Sequence, residues 1–289
     1  MIILKNNYLT VEISKHGAEI KSIKDMDGTE FVLNDEKHWK YSVPHLFPVV
    51  GTLQNGELIH EGKHYPMPRH GIARTSEFDV ISTTEKMAVF SLRYSDETQK
   101  AYPFMFELVV TYKINGKAIL VQYHVRNLDD RKISFSLGAH PAFLAPRNQG
   151  EVFTDYFLEF ETLEDLNLIP INLESGLLLR NRIPMAKNTK IINLEKTLFN
   201  GDALIFQGLK SKYLMLKNRK NSKMVRFDFS EFPFLGIWTT LGDSPMICIE
   251  PWAGHADYVD FYGEFCDKED NISLEVGSEK SYQYVMEIM

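Results

Sequence analysis

Apolar and polar residues alternate with a period of two along most of this chain, the pattern of half-buried β-strands. Leu9, Val11 and Ile13 share one face of a strand predicted over 8–14. After a break at His16-Gly17 a second strand is predicted over 18–23. The tight-turn sequence Asp25-Met26-Asp27-Gly28 then leads to a third over 30–33, completing an antiparallel meander. Strands follow over 78–82, 88–94, 104–114 and 118–126, with a hairpin signal at Asn115-Gly116 between the last two. A strand over 133–137 runs straight into Gly138-Ala139-His140-Pro141-Ala142-Phe143, and 152–160 alternates less cleanly. Residues 161–200 are broken by Pro170, Gly176 and Pro184, with one helical turn expected over 194–199. Strand character returns over 203–206, 213–217, 225–229, 234–240 and 246–250, and around 272–276 and 282–288. Roughly 15–20 strands and almost no helix far exceed the usual strand share. With no linker, composition shift or repeat, the expectation is one all-β domain over 1–289.

Two stretches interrupt this rhythm. Residues 34–62 contain Trp39 and Val43-Pro44-His45-Leu46-Phe47-Pro48-Val49-Val50-Gly51, whose prolines predict an irregular buried loop. Pro66-Met67-Pro68-Arg69-His70-Gly71-Ile72-Ala73-Arg74 is again loop-like and carries ionisable residues. Loops held by a rigid β scaffold are where sites concentrate.

Composition narrows the function classes. At 289 residues, 44% hydrophobic and 25% charged, the chain can bury a substantial core. A net charge of -7 disfavours nucleic-acid and anionic-membrane partners, which need basic surface. Two cysteines, Cys248 and Cys266, make neither a disulfide framework nor a metal spacing. Without a signal-peptide pattern or a run long enough to span a bilayer, the expected location is cytoplasmic.

The stretch Cys248-Ile249-Glu250-Pro251-Trp252-Ala253-Gly254 carries the sharpest chemical signal. An apolar strand ends on Glu250, and the following proline, aromatic and glycine are expected to stop it and turn the chain. A carboxylate at such a place has its pKa raised by desolvation and can serve as an acid or base near neutrality. The alternative is a structural Glu satisfied by an arginine or by backbone amides. Of the nine histidines, His16, His38, His60, His64 and His124 are expected in exposed turns or on strand faces. His70 and His140 stand in loops beside glycine or proline and are the candidates for chemistry. No histidine pair has a local zinc spacing, so no metal is expected. A nucleophile elbow, a P-loop and a dinucleotide fingerprint are all missing.

His70-Gly71-Ile72-Ala73-Arg74, Gly138-Ala139-His140-Pro141-Ala142-Phe143 and Cys248–Gly254, in that order, resemble the three signatures of the aldose 1-epimerases, or galactose mutarotases. The likeness is closest to the branch typified by the aldose-1-epimerase-like protein of lactose operons, and it covers nearly the whole chain. It implies a β-supersandwich fold and interconversion of the α and β anomers of a hexose through the open-chain form, with no metal or organic cofactor. It also implies Glu250 as base, His140 as acid and His70 as a hydrogen-bonding partner of the reacting oxygens. Arg74, Asp202 and Trp238 are the substrate-binding candidates. Arg74 would reach sugar hydroxyls or hold Glu250, Asp202 would grip ring hydroxyls, and Trp238 would stack on the apolar face of the sugar. Against these stand a surface ion pair, a turn aspartate and a core aromatic. Where many relatives place an arginine after Phe47-Pro48-Val49-Val50-Gly51, this chain has Thr52, which thins the positive charge that a phosphosugar would need. Only Arg69 and Arg74 remain for that purpose. The rival readings are a carbohydrate-binding or regulatory protein with little turnover, and a hexose-6-phosphate mutarotase.

Overall fold

The computed structural model describes residues 1–289 and contains twenty-two strands, a single one-turn α-helix (Asp96–Gln99) and five short 3-10 turns. Its backbone is a nine-stranded antiparallel sheet. From one edge the strands are Ile183–Asn193, Tyr156–Leu168, Tyr213–Asn218, Val225–Asp228, Glu279–Ile288, Ala118–Asn127, Phe106–Asn115, Met87–Arg93 and Asp79–Thr83. A smaller sheet of six runs Leu204–Gln207, Phe234–Trp238, Met246–Ala253, Leu137–Ala139 and His45–Leu46, with Ala142–Leu144 also paired to Met246–Ala253. Strands Ile2–Lys5, Leu9–Ile13 and Ile20–Asp25 form the opening meander. This is the all-β architecture expected from the strand count and the β-supersandwich that the family resemblance implies. No helix is long and apolar enough to cross a membrane.

The alternation resolves into burial as the pleat requires. In Phe106–Asn115 the residues Phe106, Leu108, Val110, Tyr112 and Ile114 point into the core, and in Ala118–Asn127 so do Ile119, Val121, Tyr123 and Val125. One apolar cluster of 63 buried residues joins the opening meander to both larger sheets. Each fully buried large side chain there contributes about 1.5–3 kcal/mol from removal of apolar surface from water.

Several expected elements end elsewhere. The hairpin forms, but Asn115 is itself paired with Ala118, so its loop is Gly116-Lys117. The strand expected over 30–33 is only two isolated bridges, Lys24 to Glu30 and Val32 to Phe143. The Glu30 carboxylate accepts from the N–H groups of Ile23, Phe31 and Val32, and so replaces a ladder. The stretch over 133–137 splits at Ser136, whose N–H donates to Pro48 O. Ile133–Phe135 pairs with Ile272–Leu274, whereas Leu137–Ala139 enters the six-stranded sheet. The buried loop over 34–62 contains the two-residue strand His45–Leu46 and a later hairpin strand, Glu57–His60. In the poorly patterned region, long strands Tyr156–Leu168 and Ile183–Asn193 pair through three register shifts. The second is a sheet edge exposed along most of its length, so it shows no clean alternation. The expected helical turn is a 3-10 turn at Lys196–Phe199.

One correction bears on the site. The strand expected to stop after Glu250 continues through Pro251 and Trp252 to Ala253. On one side it pairs with Phe234–Trp238 from Cys248 to Trp252. On the other it meets Ala142–Leu144 through Cys248 and Leu137–Ala139 from Trp252 onward. Ile249 N–H donates to Pro141 O in the gap between them. Two residues on, Pro251 lacks its N–H on this same side, where the partner strands change. A proline fits the middle of this strand because no ladder bond is lost there.

Candidate active site

That gap is filled by His140, which joins Leu137–Ala139 to Ala142–Leu144 and is held by its own N–H donating to Pro44 O. His140 Nε2 lies 3.2 Å from Glu250 Oε2, and both side chains are almost wholly buried. Cys248, Glu250 and Trp252 are two residues apart and therefore share a sheet face. The indole of Trp252 spreads across glycines on both neighbouring strands. A Cβ on Gly138 would come within 2.8 Å of its Cδ1, and one on Gly236 within 2.6 Å of its Cζ2. Gly236 pairs directly with Glu250.

His70 arrives from a loop with a left-handed backbone, φ 67°. Its N–H donates to Gly51 O at 2.8 Å, and Gly51 N–H donates back to His70 Nδ1 at 3.1 Å. The next residue approaches Phe47 so closely that a Cβ on Gly71 would lie 2.2 Å from the Phe47 carbonyl oxygen. His70 and His140 meet edge to face with ring centres 5.5 Å apart. Trp238 also meets His140 edge to face at 5.5 Å, and Trp39 lies over it at 4.7 Å.

These residues line a cavity of about 200 Å³. Arg69, Arg74, Asp202 and Trp252 complete its polar and aromatic wall, and Ile171, Leu178, Ile205 and Ala256 add apolar surface. Arg69 Nη2 stands 3.8 Å from Asp202 Oδ2. Arg74 donates to Arg69 O and stacks on the Tyr41 ring at 4.8 Å.

Burial dominates the electrostatics. It pushes the Glu250 carboxyl well above the usual carboxylate range, with Arg69 opposing the rise and Asp202 adding to it. Burial also pushes His140 well below the usual imidazole range, helped by Arg74 and Arg69. His70 is lowered by burial first, then by His140, Arg74 and Arg69. Although the 3.2 Å contact has ion-pair geometry, both members are driven toward their neutral forms, so between them they hold one proton. Apart from its 3.2 Å contact with His140 Nε2, Glu250 Oε2 has no hydrogen-bond partner, and His140 Nδ1 and Trp252 Nε1 are buried with none. Buried polar atoms without partners are costly in a closed interior and are often found at functional sites.

All six site residues expected from the sequence line this one cavity. Trp238 lines the cavity and also packs on the small apolar cluster around Cys248. Asp202 is a turn residue at φ 73° and a wall residue at once. Arg74 forms no ion pair with Glu250 and is engaged by Arg69 O and Tyr41 instead. Thr52 lies behind Gly176, outside the lining. Trp39 and Gly51 went unselected because the loop over 34–62 offers no periodicity to rank its residues. The absence of local metal spacing also concealed a group of three. One ligand atom each from His140, Cys248 and Glu250 lie within 4.8 Å of one another. Both cysteines are free.

The fold is a β-supersandwich with two histidines and a buried glutamate gathered in one cavity, and the chain belongs to the aldose 1-epimerase family, whose model matches residues 1–273. Among particular relatives, it is 39% identical over 259 residues to the plasmid-borne protein LacX of Lactococcus lactis subsp. lactis, covering 87% of each chain. The galactose mutarotase related enzyme from Lactobacillus acidophilus superposes with a TM-score of 0.94 at 33% identity, covering 99% of this chain and 96% of that one. A galactose mutarotase-like protein from Lactobacillus casei superposes at 0.92 with 28% identity over the full length of both.

Proposed function

We propose that this protein is a cofactor-independent mutarotase that interconverts the α and β anomers of a free hexose or related aldose. Ring opening removes the proton from the anomeric hydroxyl and delivers one to the ring oxygen; closure on the opposite face of the aldehyde reverses both transfers. Glu250 takes the hydroxyl proton, His140 protonates the ring oxygen, and His70 donates from Nε2–H to the oxygen where charge develops. A pair sharing one proton suits this role, because ring opening leaves acid and base exchanged and ring closure returns them. The empty-site balance leaves the shared proton on Glu250. The hydroxyls of an entering sugar, by hydrogen-bonding the carboxylate, favour its transfer to His140, the form that starts the reaction.

The observation that carries the reading is the buried 3.2 Å contact between His140 and Glu250 beside unpartnered polar atoms. A protein that only bound sugar would have no use for an acid–base pair held away from water. Charge in the cavity supports a neutral sugar over a phosphosugar: Arg69 faces Asp202 and Arg74 is already engaged, so neither is free to converge on a phosphate.

The test is the rate at which freshly dissolved α-glucose and α-galactose equilibrate, followed by polarimetry or NMR. Acceleration by the protein is expected, with Glu250→Gln losing about 10²–10⁴-fold in rate and still binding sugar. Sugar binding without acceleration would instead establish a carbohydrate-binding protein. Acceleration confined to 6-phosphorylated sugars would replace the free-sugar assignment.

A further inference from the structure

We propose that His140, Cys248 and Glu250 form a binding site for a thiophilic divalent cation of the zinc type, and that occupation of this site shuts the cavity's acid–base pair off. The argument begins with ligand chemistry. An imidazole nitrogen, a thiolate sulfur and a carboxylate oxygen are the three protein donors that zinc prefers, and a set of three leaves a fourth position for water or a sugar hydroxyl. Here one atom of each kind lies within 4.8 Å of the other two. Tetrahedral coordination would bring such atoms to roughly 3.3–3.8 Å apart, from metal–ligand bonds of about 2.0–2.3 Å. Rotamer adjustments of about an ångström therefore complete the set.

The second observation is the state of the donors. Glu250 Oε2 meets only His140 Nε2, His140 Nδ1 is buried without a partner, and both residues line the cavity, which gives an ion its path inward. Cys248 lies just beneath, packed with Trp39 and Trp238 over a small apolar cluster of Leu33, Ala142 and Met246. Its thiol accepts no structural duty, as it is free and forms no hydrogen bond that fixes the fold. The ligands come from two segments locked in register, with Ala142 paired to Cys248 and Ile249 N–H bonded to Pro141 O. A preorganised set of this kind needs little backbone ordering when the ion arrives. On binding, a sulfur–metal bond forms as the Cys248 S–H bond breaks. The proton shared by Glu250 and His140 is also displaced, and protons leave to solvent.

The ion would engage the Glu250 carboxylate and the His140 imidazole, the two groups that the proposed reaction uses. Inhibition therefore rests on the mutarotase reading, whereas binding does not, and the experiment separates them. Metal-free protein is titrated with Co²⁺ as a spectroscopic probe and with Zn²⁺ by calorimetry and competition. A thiolate-to-cobalt charge-transfer band in the near ultraviolet is expected, with a d–d spectrum of tetrahedral intensity, and Zn²⁺ should bleach both. Surface pairs such as His16 with Glu77 or His64 with Glu57 contain no thiol and give no such band. Cys266→Ser should keep the band, and Cys248→Ser should abolish it. Cys248→Ser should also weaken zinc by more than the roughly tenfold that loss of even an outer-shell partner costs a metal site. Absence of the band in the unmutated protein, or its persistence in Cys248→Ser, overturns the site. If zinc binds through Cys248 and anomer exchange continues undiminished, the inhibitory half of the proposal is refuted.

Discussion

Gly51 donates its backbone N–H to Nδ1 of His70 at 3.1 Å, and this bond assigns the ring's tautomer. With Nδ1 accepting and burial holding the ring neutral, the proton sits on Nε2, leaving His70 a hydrogen-bond donor toward the cavity. Gly51 can do this only because its φ of +73° is open to glycine and because it has no Cβ. A Cβ there would lie 2.6 Å from that of Ala256.

Gly51→Ala is therefore expected to act twice. Overpacking against Ala256 should cost about 1–3 kcal/mol, and displacement of His70 should lower turnover by about 10²-fold, as misplacement by an ångström can. Gly62→Ala is the control. Its φ is +69°, but nothing lies within 4 Å of the added methyl, so only backbone strain is introduced. Melting temperatures and anomerisation rates of the two variants measure the difference. Equal losses would mean that Gly51 matters for its backbone conformation alone.

The shared proton of Glu250 and His140 sets the pH profile. Activity needs one proton on the pair. Acidification adds a second when His140 protonates, and burial has moved that event well below the ordinary 6.5. Alkalinisation removes the only proton, and burial has moved that event well above the ordinary 4.5 of a glutamate. The expected profile is a bell with its acid limb displaced downward from 6.5 and its alkaline limb displaced upward from 4.5, both macroscopic properties of the pair. Initial rates of anomer exchange across pH, corrected for the buffer-catalysed reaction, provide the check. An acid limb at or above 6.5 would mean that His140 is not buried neutral.

Much of this site was legible before any coordinates, and the reasons are local. Glu250 betrayed itself as a carboxylate in an apolar run, and His70 and His140 as ionisable residues beside glycine and proline. Their three motifs in order carried the family. What the chain order hid was partner exchange. Nothing near Pro251 reveals that its strand changes neighbours there, so a proline read as a stop lies inside a strand. Cys248 drew no metal assignment, because its nearness to His140 depends on the pairing of two distant segments. Ile183–Asn193 escaped because an exposed edge strand need not alternate. His45 escaped because a buried histidine between prolines carries no mark of its two tyrosine partners.

Arg69 and Asp202 should move the alkaline limb in opposite directions. Asp202 raises the Glu250 carboxyl and Arg69 lowers it. Asp202→Asn removes a nearby negative charge, favours the carboxylate, and shifts the alkaline limb to lower pH. Arg69→Gln shifts it to higher pH. The pair stands 3.8 Å apart at a partly exposed wall, so the double variant should fall between the two singles. Shifts of the same sign would show that the wall acts through sugar binding and not through its field at Glu250.

The last prediction concerns stability and lies below the site. His45 is fully buried, with Nδ1 2.6 Å from the Tyr123 hydroxyl and Nε2 2.6 Å from the Tyr112 hydroxyl. Burial lowers its pKa from 6.5 to about 4. The sign follows from which state binds the proton. Above pH 6.5 His45 is neutral both folded and unfolded, and its contribution is intact. Between 6.5 and 4 the unfolded chain takes up a proton that the folded chain refuses, so stability falls as pH falls. This one group should cost about 2 kcal/mol at pH 5 relative to pH 8, approaching about 3 kcal/mol near pH 4. Urea unfolding of the natural protein and of His45→Gln at both pH values isolates it, because the carboxylates titrate alike in each. His45→Gln should be the less stable protein at pH 8, where the tyrosine hydroxyls lose well-placed partners. Its further loss on going to pH 5 should be smaller by about 2 kcal/mol. Parallel losses in the two proteins would mean that the tyrosine cage stabilises the imidazolium, and that His45 is not the acid-sensitive group of this core.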